Sequence, residues 1–195
     1  KEYEKICDKL KKAFEYKQPS AKEDLIFDSY TRSIYNGYAT QSYSKLKNVI
    51  LYFIEKCDNV FNTKMNKLLF YADFLSYKTY GHGMTGLAYR AIQFGPVPVR
   101  WDRVYSLIDG VYPEMVEFSS GICGTKLCSD LSPDCNSFTD DELSILEKVL
   151  DIFKSTSASQ ISELSHSEEA WTKYCNTTQM ISYNEAFTLN AFDVS

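Results

Sequence analysis

Glycine and proline are scarce, at 8 and 5 in 195 residues, which speaks against many short strands and for long regular elements. No apolar run approaches the roughly 20 residues that a membrane-spanning helix needs, and no signal-peptide pattern opens the chain. Histidine is almost missing. Only His82 and His166 are present, so acid–base chemistry would have to rest on one of them or on carboxylates. There is no Gly-x-Ser-x-Gly elbow, no phosphate loop and no metalloprotease helix. A basic excess is lacking too: the net charge is −5, with lysines interleaved among Asp and Glu, so this chain is not expected to grip phosphates by itself. The six cysteines, Cys7, Cys57, Cys123, Cys128, Cys135 and Cys175, are too thinly spread for a disulfide scaffold and read as free thiols of a reducing cytosol. These absences lead to the expectation of a cytoplasmic binding module, not an enzyme, with no cofactor and no membrane contact. No Met stands at position 1, and the reading is that the numbering starts inside a longer product.

What is present is a generous core. Hydrophobic residues reach 44%, with 15 Tyr and 12 Phe, enough for a buried interior or an adhesive surface. Tyr3, Ile6, Cys7, Leu10, Ala13 and Phe14 recur at helical spacing over residues 2–16, ended by Pro19, and Ser20 is placed to cap the next segment. Residues 21–35 are less periodic, although Leu25, Ile26, Ser29 and Tyr30 share a face, and Asn36-Gly37 makes a turn. The central block is stronger. Leu46, Val49, Ile50, Phe53, Ile54 and Cys57 form a stripe over 43–57; Asn62-Thr63 then reads as an N-cap for a helix from Lys64 to Tyr80. That helix is apolar nearly all round, the mark of a buried hub.

After Gly81 the period changes. Leu87 to Ile92 has strand composition, Phe94-Gly95-Pro96-Val97-Pro98 reads as a rigid break, and Trp101, Val104, Tyr105 and Ile108 as a short helix. A hairpin is expected over 114–128, and Thr139-Asp140-Asp141-Glu142 is a capping box for the helix carrying Leu143, Leu146, Val149, Leu150 and Phe153. Short helices near 159–165 and 167–175 complete the body, with at most one more turn after Ser182. The expected class is mainly α (α+β): a compact helical domain around a buried central helix, with a small antiparallel β element.

Three constellations invite chemistry. Gly81-His82-Gly83-Met84-Thr85-Gly86 has dinucleotide-fingerprint spacing, but it follows a helix and leads into a strand, the reverse of the required context, so a C-cap and turn is the better account. Cys123, Cys128 and Cys135 lie close together without the tight pairs and fourth ligand of a structural zinc site. His166, in Leu164-Ser165-His166-Ser167-Glu168-Glu169-Ala170-Trp171, could hold a substrate, but a helix-junction or Trp-packing role is favoured.

Three stretches in this order, Lys64 to Phe74, Thr85 to Pro98, and Leu164-Ser165-His166 with Trp171, resemble the Panacea domain, the SocA-like antitoxin domain of bacterial toxin–antitoxin systems. The resemblance implies a helix-rich fold with a small sheet, no known catalytic activity, and neutralisation of a cognate protein toxin. Tyr35-Asn36-Gly37-Tyr38 is similar to the connector of longer members, which carry an N-terminal helix-turn-helix. The expected division is therefore a helical connector at 1–42 and the domain at 43–195, with DNA touched only by a region outside this chain. Candidate partner-binding residues are Tyr71, Asp73 and Tyr77, readable as core or interface, with Tyr89, Gly95, Pro96, Val97, His166 and Trp171. The alternative is a ligand-sensing or dimerising domain of a transcriptional regulator, with a second copy as partner. The Cys-containing hairpin around 121–135 departs from the family pattern.

Overall fold

A computed structural model describes residues 21–119 and 121–192. The helix expected over 2–16, with Pro19 and Ser20, lies outside them. Helix α1 (Ala21–Ile26) is shorter than the 21–35 segment suggested. It buries Ile26, while Leu25 stays exposed. The turn that follows is built by a side chain: Asn36 accepts from the Ser33 amide at 2.8 Å and donates to the Thr31 carbonyl at 2.9 Å. The positive φ angles fall on Gly37 and Tyr38, at 61° and 52°, and not on Asn36. A side chain at Gly37 would begin 2.6 Å from the Tyr183 ring and 2.8 Å from the Gly83 amide, so only glycine lets these segments meet.

Helix α2 (Tyr43–Lys56) is capped by the Ser42 side chain and buries Leu46, Val49, Ile50 and Phe53. Helix α3 (Asn62–Tyr80) is the hub, buried continuously from Lys64 to Tyr77 and closed by Gly81 in the left-handed region at φ 77°. Its start corrects the expected cap. Phe61 is the N-cap, no side chain caps it, and Asn62 is the first helical residue. Strand pairing fixes the chain just ahead of the helix: the Leu127 amide donates to the Val60 carbonyl at 2.8 Å and Phe61 bridges Lys126.

Strand β1 (Tyr89–Ile92) pairs antiparallel with β2 (Gly95–Pro98), so the stretch read as a rigid break is itself a strand. The register explains how two prolines fit. The Val99 amide bonds Ala88, which makes Pro96 and Pro98 members of the alternate pairs that exchange no ladder bonds. The helix expected over Trp101–Ile108 reduces to turns and one 3-10 turn, Tyr105–Leu107; Tyr105 is drawn inward, its hydroxyl donating to Asn66 at 2.5 Å. Strands β3 (Val111–Glu117) and β4 (Cys123–Ser129) form the expected hairpin, longer at its N-terminal end.

Helix α4 (Asp140–Phe153) starts with the capping box read from the sequence, and α5 (Ala158–His166) starts with a second one, Ser157 and Gln160. Helix α6 (Glu169–Thr172) is shorter than expected. The tail returns through a 3-10 turn, Tyr183–Thr188, where Tyr183 stacks on Phe74 at 4.4 Å. The result is mainly helical α+β, with two small antiparallel sheets.

Candidate functional site

The three sequence stretches meet where α3 packs against β2 and α5. Lys67 comes from the first, Gly95 from the second, and Ser165, His166 and Trp171 from the third. Gly95 has φ 103°, and a Cβ there would stand 2.6 Å from Ser165 Oγ, 2.7 Å from Lys67 Cε and 3.0 Å from Lys67 Nζ. The absence of a side chain at Gly95 thus makes room for a buried amine.

Lys67 is wholly buried, and its Nζ has no hydrogen-bond partner among the described residues. Burial pushes its ammonium down to about 8. The His166 ring stacks on Trp171, with centroids 4.1 Å apart and planes 28° from parallel. The indole Nε1 is fixed by the Ile92 carbonyl at 2.7 Å, which locks the ring pair to the β1–β2 turn. His166 Nε2 is enclosed and also lacks a partner. Burial first, then the Lys67 cation, pull the imidazole below its usual range, against the Gln93 carbonyl and Glu163. Ser165 Oγ donates to the Ser162 carbonyl at 2.7 Å, so its proton is directed to the backbone and not to His166.

Asp73, one face away on α3, organises the Gly-rich turn. Its Oδ1 accepts from the Met84 and Thr85 amides at 2.8 and 2.6 Å. Oδ2 accepts from the Thr85 hydroxyl at 2.5 Å and the Tyr89 hydroxyl at 2.6 Å. Burial still raises its carboxyl above the ordinary range, against these four donors. The amides that a phosphate would need are therefore taken by a carboxylate of the chain.

Of the residues singled out in the sequence, Tyr71, Asp73 and Tyr89 have no exposed surface. Tyr71 stacks on Phe153 at 4.6 Å and donates to Glu168 at 3.3 Å. Gly95, Pro96 and Val97 are buried, as is Tyr77 at its margin; His166 and Trp171 are half-buried. Lys67 and Ser165 lie inside the first and third stretches but are not among the residues singled out there. The signal for Lys67 is indirect: a lysine in a helix with no polar face has nowhere to go but inward.

Exposed apolar side chains gather on the β3–β4 hairpin, where Met115 is 67% exposed, Ile122 65%, Tyr112 45% and Phe118 42%; Phe94 and Leu164 are exposed beside the junction, and Phe187 on the C-terminal turn. Beside the hairpin runs a groove of about 980 Å³, walled by Phe61, Val116, Phe118 and Ile122 and by Ser157–Ser159 at the start of α5. Cys57, Cys123, Cys128, Cys135 and Cys175 are free thiols. Among the described residues no group of three or more His, Cys, Asp or Glu is arranged for a metal ion. Nor is any helix among them long and apolar enough to cross a membrane.

No curated protein and no solved structure matches the chain. A family model does, that of the SocA-like antitoxin, Panacea domain, over residues 65–172. This span contains Lys67, Asp73, the β1–β2 ribbon and the His166–Trp171 pair, the residues that form the two buried nodes. With more than half its length matched, the chain belongs to the SocA-like antitoxin, Panacea domain family.

Proposed function

We propose that the chain acts by stoichiometric binding, not catalysis: it neutralises a cognate protein toxin, and the β3–β4 hairpin with its groove is the covering surface. The family match carries the antitoxin reading, and the hairpin carries the choice of surface. Large apolar side chains stand in solvent on both faces of one small ribbon, Phe118 and Ile122 toward the groove and Met115 on the other face, and association would bury them. The ribbon also has a usable edge. Because the Leu127 amide points to Val60, its partner Pro113 points away from β4, as do Met115 and Glu117 two and four residues on. Pro113 blunts one end of that edge against indiscriminate pairing. In this reading Tyr71, Asp73, Tyr77, Tyr89, Gly95, Pro96 and Val97 frame the interior and do not touch the partner.

Co-expression with the product of the neighbouring reading frame tests this. The chain should restore growth and co-purify with that product, and Met115→Glu with Ile122→Glu should abolish both. Exposed substitutions of this kind should leave the melting temperature within about 2 °C of wild type. If no neighbouring product is toxic or captured, the reading fails. The same surface favours a second reading, self-association of a regulator domain. Sedimentation showing a wild-type dimer that the double substitution turns into a monomer, with no toxin captured, would replace the first reading with the second.

A further inference from the structure

Four enclosed side-chain polar atoms lack a partner among the described residues, and two of them, Lys67 Nζ and His166 Nε2, belong to the α3–β2–α5 junction. Buried polar atoms are normally satisfied, so a cluster of exceptions asks for a missing group. The chain shows that it can satisfy a buried lysine: Lys64, one turn earlier on the same helix, donates to the carbonyls of Asp58 and Lys154 at 2.8 and 2.9 Å. No such acceptor is provided for Lys67. No carboxylate acts on the Lys67 ammonium either: burial alone moves it. Strand β2 brings no titratable side chain, and the charged groups that bear on the His166 imidazole are Lys67 from α3 and the exposed Glu163 from α5.

We propose that this junction is a binding site for one small monovalent anion, of chloride or formate size, held between the Lys67 ammonium and His166. A buried water would satisfy the hydrogen bonds but leave the positive charge uncompensated in a low-dielectric site; an anion does both. His166 takes up a proton when the anion arrives, since Nε2 then donates to it and the added negative charge favours the imidazolium; the anion answers Lys67, and the imidazolium's own charge is met from the outer side by Glu163. Gly95 leaves the Lys67 side chain room to reach the junction, because a Cβ there would collide with Ser165 Oγ at 2.6 Å and Lys67 Cε at 2.7 Å. The anion ties the β1–β2 ribbon to α5 across the hub helix. This site stands apart from the hairpin surface and does not depend on the toxin-binding reading.

Thermal melts of the full chain at pH 6.5, in sodium chloride or sodium formate against sodium gluconate at matched ionic strength, test the proposal. The small anions should raise the melting temperature by about 2–6 °C over bulky gluconate. Lys67→Met should erase that difference and melt above wild type in gluconate, because it removes an uncompensated charge. His166→Gln should shrink the response while leaving some of it. In wild type the response should fade as pH rises above about 8, where Lys67 gives up its proton. No response in wild type, or an equal one in Lys67→Met, would overturn the site. Should Lys67→Met fail to fold, crystals of wild type grown in sodium bromide decide: an anomalous peak beside Lys67 Nζ supports the site, and its absence there refutes it.

Discussion

Lys64 and Lys67 sit one turn apart on α3, both at zero exposure, yet the interior treats them differently. Lys64 pins the end of α4 to the start of α3 through two carbonyls, whereas burial alone depresses Lys67, to about 8 from 10.5. The sign of the resulting pH dependence follows. Between about 8 and 10.5 the unfolded chain holds a proton on this lysine that the folded chain has released, so stability rises with pH through that window. In gluconate, wild type should therefore gain up to ~3 kcal/mol relative to Lys67→Met between pH 7.5 and 10.5, read from urea midpoints at each pH. A flat difference would mean that the lysine is not buried in solution. Asp73 is the opposite case, a buried carboxylate with four donors. Asp73→Ala should cost about 3–5 kcal/mol in a urea melt, because the Met84 and Thr85 amides and the Tyr89 hydroxyl lose their acceptor together.

Helix starts separate what a sequence reveals from what it hides. Thr139-x-x-Glu142 is a local device, complete within four residues, and it forms as read: the Glu142 amide donates to Thr139 Oγ1 at 3.2 Å and the Thr139 amide to Glu142 Oε2 at 2.9 Å. Asn62-Thr63 has the same appearance, but the start of α3 is settled by β4, which comes more than sixty residues later. Thr139→Ala should thus cost ~1 kcal/mol or slightly more, the usual worth of a cap. Asn62→Ala should cost close to nothing, since Asn62 Oδ1 is buried without a partner; equal losses in paired thermal melts would restore the sequence-based assignment. Strand β2 was hidden for a related reason. Its two prolines read as a break because their tolerance depends on which register positions they occupy, a property of the pairing and not of the residues. Periodicity exposed α2, α3 and α4, and motif order exposed His166, Trp171 and Gly95. Lys67 and the hairpin surface were not marked, because burial of the one and exposure of the other are set by tertiary packing. Gly95→Ala tests that packing, and should destabilise by ~2–4 kcal/mol through its φ of 103° and the collision with Ser165 and Lys67.

Across the whole molecule, order and exposure are unevenly distributed. Helix α3 touches α2, α4, α5, both ribbons and the C-terminal turn, so its amides open only when the entire core does. The β3–β4 ribbon, by contrast, is mostly exposed on its outer strand and holds to the body chiefly through Leu127 and the pairing at Val60 and Phe61. Native-state hydrogen exchange should therefore show slow exchange in residues 64–77 and fast, local exchange in 112–118. Adding a bound partner separates two kinds of protection. Mass action slows every globally opening amide together, whereas direct cover slows the ribbon beyond that common factor. If the hairpin is the covering surface, peptides spanning 112–118 and 121–125 should gain the largest protection in the complex, with the α3–β2–α5 junction changing only by the common factor. Extra protection centred on 94–97 and 162–171 instead would move the partner surface to the junction, and would make the buried anion site its neighbour.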